Sequence, residues 1–194
     1  AGTWLAGTWK TTDAGETWTF LEDAPLSSTA LSLNAKDTDI IYLADRSSPT
    51  VWKSTDGGAT WAQVADFASD GALLTMRVLA DGDTVYASTF NPCLQGGKLY
   101  KSSDAGSTWT DVTGSLPKGI LDLAVDPSDA DIVYVTTNIN GAHKSMNGGT
   151  TWRALEGFPD VGAYDIEVDP DDHTTLYASA RGGSLPAWFT EISG

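Results

Sequence analysis

The hydrophobic pattern of this 194-residue chain is short-ranged. Brief runs alternate apolar with polar side chains or cluster β-branched ones: DIIYLA from Asp39, DTVYAS from Asp83, DIVYVTT from Asp131 and TTLYAS from Thr174. Gly, Asp, Asn and Pro bound each run, the punctuation expected of strands. No stretch sustains a 3.6-residue apolar period without a turn signal, and 20 Gly and 8 Pro leave little room for helices. The pattern predicts an all-β protein. One unit reads as four strands: ILDLAVDP (120–127), which stops at Asp-Pro, then DIVYVTT, AHKS (142–145) and TWRAL (151–155).

Between the third and fourth strands of each unit one segment recurs: KTTDAGETW (10–18), KSTDGGATW (53–61), KSSDAGSTW (101–109) and KSMNGGTTW (144–152). Its equivalent residues Asp13, Asp56, Asp104 and Asn147 stand 43, 48 and 43 residues apart. A period in the forties belongs to propeller blades or to two-helix repeats, and the strand-rich composition selects blades. A four-stranded blade cannot bury both faces alone, so stability must come from stacking on its neighbours. The expectation is one domain over 1–194, a β-propeller of about four to five blades or a fragment of a larger one.

The repeated segment has a physical reading. Asp followed by Gly supplies a tight turn: the carboxylate accepts turn N–H groups, and glycine adopts the positive φ that other residues reach only with strain. Ser54 and Thr60 are expected to bond across the neck of their hairpin. The tryptophan leaves the turn as a wedge for the adjacent blade, each of the four burying about 200 Å². The scaffold residues are therefore Asp13, Gly15 and Trp18; Asp56, Gly58 and Trp61; Asp104, Gly106 and Trp109; and Asn147, Gly149 and Trp152. Asn in the fourth copy keeps the acceptor and the turn.

This spacing, Ser/Thr-x-Asp-x-Gly-x-Thr-Trp, resembles the Asp-box of the bacterial neuraminidase repeat, over nearly the whole chain. The preceding strands, AVDPSDADIVYV and IEVDPDDHTTLYAS, resemble the repeats of xyloglucan-degrading glycoside hydrolases and of sortilin-type receptor propellers; photosystem assembly propellers share the box. These families use one blade for different tasks, so the fold by itself does not select a function. Trp4 aligns with Tyr42, Tyr86, Tyr134 and Tyr177, and WFTEISG (188–194) aligns with WKSTDGG (52–58), so the repeat starts and stops within a blade. Open blade edges of this kind are expected to invite self-association.

Charge and candidate chemistry narrow the choice. A net charge of −15 repels phosphate backbones and anionic lipid surfaces, which argues against nucleic acid. No run of about 18 apolar residues is present to insert in a membrane. An extracellular or periplasmic protein is the expectation. Cys93 stands alone, in a loop. The acidic turns at Asp81–Asp83 and Asp169–His173 read as turn chemistry, neither having the spacing of an EF-hand loop; no metal or cofactor is expected.

Glycoside hydrolysis needs two carboxylates flanking one bond. Asp122, Asp165 and Glu167 are the candidates, because they lie in first-strand patterns where an inward position would line the central channel; outward positions would only meet solvent. The resemblance to neuraminidases would imply three arginines, one in Arg-Ile-Pro, and a Tyr/Glu pair. None of Arg46, Arg77, Arg153 and Arg181 precedes Ile-Pro, so sialidase activity is not expected. Nor does any segment match the catalytic aspartate motifs that the xyloglucan-degrading likeness would imply. For ligand contact the candidate rings are Trp9, Trp52, Tyr100 and Trp188, with His143 at the position equivalent to Tyr100; such rings stack on sugars or pack between blades. The irregular loop STFNPCLQGGKLY (88–100) departs from the repeat, and binding residues concentrate in such loops. Three functions follow: a module recognising carbohydrate or protein, a hydrolase-like propeller acting on β-glucans, or a structural assembly factor.

Overall fold

Strands form where short alternating runs meet Gly and Asp turns, and each pairs with the next run along the chain. The computed structural model describes residues 7–72, 74–90, 96–158 and 161–180. A two-stranded hairpin comes first, β1 (Trp9–Lys10) with β2 (Thr19–Phe20). Three four-stranded antiparallel sheets follow. They are β3 (Ser28–Leu33), β4 (Ile41–Asp45), β5 (Thr50–Ser54), β6 (Ala62–Asp66); β7 (Leu74–Asp81), β8 (Thr84–Phe90), β9 (Leu99–Ser102), β10 (Thr110–Asp111); and β11 (Ile120–Asp126), β12 (Asp129–Thr137), β13 (Ala142–Ser145), β14 (Arg153–Ala154). The last pair is β15 (Ala163–Val168) with β16 (Leu176–Ala180). Within each sheet neighbours in sequence are neighbours in space, the order of a propeller blade. The described chain is thus three whole blades between two half-blades. Trp4, Cys93, Arg181 and Trp188 lie outside the described residues.

Strand limits differ from the expected ones at two places. β12 begins at Asp129 because Asp129 pairs with Asp126 across a two-residue turn. The fourth strand β14 holds only Arg153 and Ala154, because Trp152 is turned toward the preceding blade and leaves the ladder.

The core lies between blades. Tyr42, Ala44, Val51 and Phe67 of the first whole blade pack on Val78, Ala80, Val85 and Tyr100 of the second. Tyr86 and Leu99 meet Leu123, Val133 and Val135 at the next interface, and Tyr134 and Ala142 meet Ile166 and Val168 at the third. The equivalent tyrosines are anchored at their tips: Tyr42 donates its hydroxyl to the Ala105 carbonyl at 3.0 Å and Tyr86 donates to Ala130 at 2.9 Å. Beside them Lys10 donates to the Gly57 carbonyl at 2.8 Å and Lys53 to the Ala105 carbonyl at 2.9 Å, while Lys101 pairs with Asp131 at 2.7 Å. Lys10, Lys53 and Lys101, which open the first three repeated segments, therefore tie their blades to the next one.

Inside the hairpin the aspartate organises everything. Asp56 Oδ1 accepts from the Ser54 hydroxyl at 2.8 Å and the Thr60 amide at 2.9 Å, and Oδ2 accepts from the Thr60 hydroxyl at 2.5 Å. Ser54 and Thr60 thus meet through Asp56 and not directly across the neck, as the sequence had led one to expect. Ser54 Oγ also accepts from the Gly58 amide at 2.8 Å. The pattern repeats at Asp13 and Asp104. At Asn147 the polarity of one bond reverses: Oδ1 accepts from Ser145 and from the Thr151 amide, and Nδ2 donates to the Thr151 hydroxyl at 2.9 Å.

The tryptophans act as wedges unequally. Trp109 donates Nε1–H to the Val64 carbonyl at 3.1 Å and Trp152 to Val112 at 2.9 Å, both on the preceding blade. Gly149 packs so close to Val112 that a Cβ would lie 2.9 Å from it. Trp61, Trp109 and Trp152 are only half-buried and Trp18 is 58% exposed, so the expected uniform burial is corrected: a ring is covered only where a preceding blade covers it.

Two outcomes follow from this geometry. The Thr hydroxyl first, then the Thr amide and the Ser or Thr two residues upstream, hold Asp13, Asp56 and Asp104 at about 2, down from 3.8. Their contribution to stability is complete above the unfolded-state value and is lost as pH falls through the folded one, so the thermal midpoint drops between about pH 4 and pH 2. The triple variant D13N/D56N/D104N, which copies the Asn147 arrangement, flattens that dependence; melting curves across the window check it. Trp152→Phe loses the bond to Val112 and costs about 1 kcal/mol in urea unfolding, against under about 0.5 kcal/mol for Trp18→Phe.

Candidate functional site

Antiparallel winding separates two ends of the propeller. Every repeated hairpin joins a third to a fourth strand and lies at one end. The connections from second to third strands, and from each blade to the next, lie at the opposite end, where the chain departs from its repeat.

A cavity of about 330 Å³ opens at this second end. Four segments build it: the turn after β6, with its 3-10 turn Ala68–Asp70; the end of β8; the chain entering β9; and the turn after β10. Phe90 and Leu116 supply apolar wall, and Lys98 and Lys118 bring the positive charge. Gly71 takes φ 77° to end the 3-10 turn and bring the chain back into the next blade. Gly97 is required by proximity: a Cβ there would lie 2.0 Å from the Thr89 carbonyl oxygen. The close approach accompanies a tight ladder, Thr89 N–H donating to the Lys98 carbonyl at 2.9 Å.

The charged groups at the rim are already coupled. Lys98 Nζ sits 2.9 Å from Asp111 Oδ2 and 3.8 Å from Asp70 Oδ2. Asp70 also accepts from the Tyr100 hydroxyl at 2.6 Å. The bond to Asp111 raises the Lys98 ammonium above its ordinary value. Asp111, although burial pushes it up, is held below the usual carboxylate range by the Thr113 hydroxyl and amide and by Lys98. A general acid for glycoside cleavage needs the opposite shift. What the arrangement offers is a fixed ammonium beside apolar wall, suited to holding a ligand.

The sequence-derived site residues are placed elsewhere. Asp122 is buried, with Oδ2 accepting from the Ile166 amide at 3.1 Å, so its carboxylate links β11 to β15 between blades. Asp165 and Glu167 are exposed on the β15 face that, in the other blades, packs against the following sheet. Strand side chains alternate toward the two neighbouring blades, which is why the Asp122 carboxylate meets the following blade.

Among the rings, Trp9 is 50% exposed and lies tilted on Phe20 at 5.2 Å. Trp52 is half-buried and donates to Thr50 at 3.1 Å. Tyr100 differs from the expectation of an available ring: it is 3% exposed and stacked on Phe67 at 4.0 Å, 10° from parallel. His143, at the equivalent position, is also buried. Asp169 and Asp172 accept from amides and hydroxyls of their own turn, and His173 Nδ1 lies 3.1 Å from Asp126. Among the described residues no group of three His, Cys, Asp or Glu is placed to hold a metal ion. Sequence reasoning missed Asp70, Lys98 and Lys118; the available signal was the irregular 88–100 loop, whose described part supplies Phe90, Gly97 and Lys98.

No protein-family model matches the chain, and no curated protein matches it. Solved structures do. The chain is similar to the GH74 enzyme of Niastella koreensis, with 21% identity and a TM-score of 0.71 over 90% of this chain and 32% of that one. It is similar to YCF48 bound to D1 peptide, with 19% identity and a TM-score of 0.62 over 90% of this chain and 55% of that one. A chain of the nidogen/laminin complex gives 15% identity and a TM-score of 0.65 over 86% and 60%. The described chain spans about a third of the GH74 enzyme's length, and at these identities the likeness establishes the propeller fold.

The cavity depends on its backbone floor. Gly97→Ala forces Thr89 and residue 97 apart, and is expected to cost about 2 kcal/mol in denaturant midpoint. Lys98→Met, which removes a pair whose members are both about 40% exposed, is expected to cost under about 1 kcal/mol.

Proposed function

We propose that this chain is part of an exported Asp-box propeller that acts as a recognition module, taking a polypeptide segment with acidic and apolar side chains into the cavity beside Lys98. The observation that carries this reading is the pairing of Lys98 and Lys118 with Phe90 and Leu116 around one cavity, at the end where the chain leaves its repeat. An ammonium next to apolar wall binds a carboxylate-bearing side chain and buries its apolar neighbour. At this rim Lys98 and Lys118 offset Asp70 and Asp111, so it is less acidic than a chain of net charge −15 is as a whole, and its ammoniums would meet the carboxylates of an acidic partner. The likeness to YCF48 bound to D1 peptide and to a chain of the nidogen/laminin complex supports a protein ligand, since both are propellers solved with a protein or peptide partner. The repeated segments, with their Asp-centred hairpins, support the Asp-box reading of the scaffold.

A second reading, a hydrolase-like propeller acting on β-glucans, is favoured by the GH74 likeness. Buried Tyr100 and the ion-paired Asp111 weigh against it, because one supplies no open ring for a sugar and the other no proton. As an assembly factor the chain would use the same cavity on one stoichiometric protein.

Titration calorimetry against acidic-apolar peptides, run beside a polysaccharide panel with reducing-sugar detection, separates the readings. Peptide binding weakened about tenfold or more by K98M/K118M is expected, corresponding to the loss of a charge-assisted contact. Release of reducing ends that disappears in Asp70→Asn or Asp111→Asn would establish the hydrolase instead.

A further inference from the structure

Two asparagines of this chain, Asn140 and Asn147, are followed by glycine. Asparagine is among the thermolabile residues, and a following glycine has no Cβ to keep its main-chain nitrogen away from the carboxamide. Asn34 precedes Ala35 and Asn138 precedes the β-branched Ile139, where a side chain crowds that nitrogen. We propose that Asn140 is a site of spontaneous deamidation, and that Asn147, with the same following residue, is protected by the hairpin it organises.

The step balances with water as its co-reactant. The Gly141 nitrogen gives its proton to solvent and attacks Asn140 Cγ; the new N–Cγ bond closes a succinimide ring as the Cγ–Nδ2 bond breaks and ammonia leaves. Water then opens the ring. Attack at Cγ breaks the new bond and yields aspartate on the original main chain. Attack at the main-chain carbonyl carbon yields isoaspartate, with the chain rerouted through Cβ and Cγ. Either product exchanges a neutral carboxamide for a carboxylate.

Exposure does not separate the two sites, since both asparagines are exposed and both glycines are buried. Hydrogen bonding does. Asn147 Oδ1 accepts from the Ser145 hydroxyl at 3.0 Å and the Thr151 amide at 2.9 Å, and Nδ2 donates to the Thr151 hydroxyl at 2.9 Å. Its Cγ cannot swing onto the Gly148 nitrogen while these bonds hold. That nitrogen is itself committed, donating to the Asp131 carbonyl at 2.8 Å, and the Gly149 amide beside it donates to Ser145 Oγ at 2.8 Å. Reaction at Asn147 therefore requires the hairpin to come apart.

Asn140 is held only through its main chain. Its amide donates to the Thr137 hydroxyl at 3.2 Å, and among the described residues its carboxamide has no partner. Thr137 holds the Gly141 carbonyl, through its amide at 2.9 Å and its hydroxyl at 3.1 Å, without engaging the glycine nitrogen. The Gly141 amide donates to the Val161 carbonyl at 3.0 Å, and Val161 lies in the connection between β14 and β15, outside any strand. Freeing this nitrogen breaks one contact and leaves the strand ladders of the blade paired. Local openings of this kind cost less than loss of a whole hairpin. Because β12 to β13 is a second-to-third-strand connection, the new carboxylate appears at the end of the propeller that carries the Lys98 cavity. Isoaspartate also lengthens the turn by one main-chain carbon.

The test is to incubate the folded 194-residue chain at mildly alkaline pH and map its tryptic peptides by mass spectrometry. Cleavage at Lys118, Lys144 and Arg153 separates residues 119–144 from 145–153. A gain of about 1 Da is expected at Asn140, at least about tenfold faster than at Asn147, with heavy oxygen incorporated from labelled water. In denaturant the two rates are expected to converge. Asn140→Gln is expected to abolish the gain in 119–144. S145A/T151V, which removes two of the three bonds to the Asn147 carboxamide, is expected to bring Asn147 toward the Asn140 rate; if dichroism shows that variant unfolded, the wild-type ratio decides. An Asn140 that stays intact in the folded chain overturns the proposal, as do equal folded-state rates, a gain at Asn138 instead, or a ratio that persists in denaturant.

Discussion

A four-stranded sheet whose two faces are both apolar cannot stand in water, and that constraint governs this molecule. Each of the three whole blades buries its tyrosine against the following first strand and its hairpin glycine against Leu21, Val64 or Val112 at the end of the preceding blade. Tyr42, Tyr86 and Tyr134 disappear from solvent because a sheet follows each of them; Tyr177 carries the same residue in the same register and stays exposed. Burial is therefore a property of position in the stack and not of the individual residue.

Directional polar contacts make that stacking specific. Apolar faces alone would let one blade slide on another, since the hydrophobic effect is non-directional. Lys10, Lys53 and Lys101 reach the adjoining blade, and the Tyr42 and Tyr86 hydroxyls and the Trp109 and Trp152 indoles do likewise. These donors have fixed acceptors, so they set the register. The aspartate at the centre of each hairpin acts one step earlier, shaping the turn that presents the glycine and the tryptophan.

The same winding that concentrates scaffold chemistry at one end leaves the other end unconstrained by it. The repeated turns have little freedom to vary, because their hydroxyls, amides and carboxylates are mutually satisfied. At the opposite end the connections between blades differ from one another, and there Asp70, Lys98, Tyr100 and Asp111 form a linked group, of which Asp70 and Lys98 line a cavity. Scaffold and candidate site are thus separated along the strand axis, which lets the loops change without disturbing the hairpins.

Much of this was legible in the sequence. Alternation around Tyr42, Tyr86, Tyr134 and Tyr177 determined the strands, the spacing of Asp13, Asp56, Asp104 and Asn147 determined the blades, and the Asp, Gly and hydroxyl chemistry determined the turns, because all of these are local and depend on residues a few positions apart. Only the tertiary structure decided which faces were covered. It placed Asp122 between blades, stacked Tyr100 on Phe67, left Trp18 in water while covering Trp152, and brought Lys98 beside Asp70 and Asp111. Each of these depends on a residue well beyond the local period, up to about one repeat away, or on whether a blade covers the face, and local periodicity carries no information at that distance.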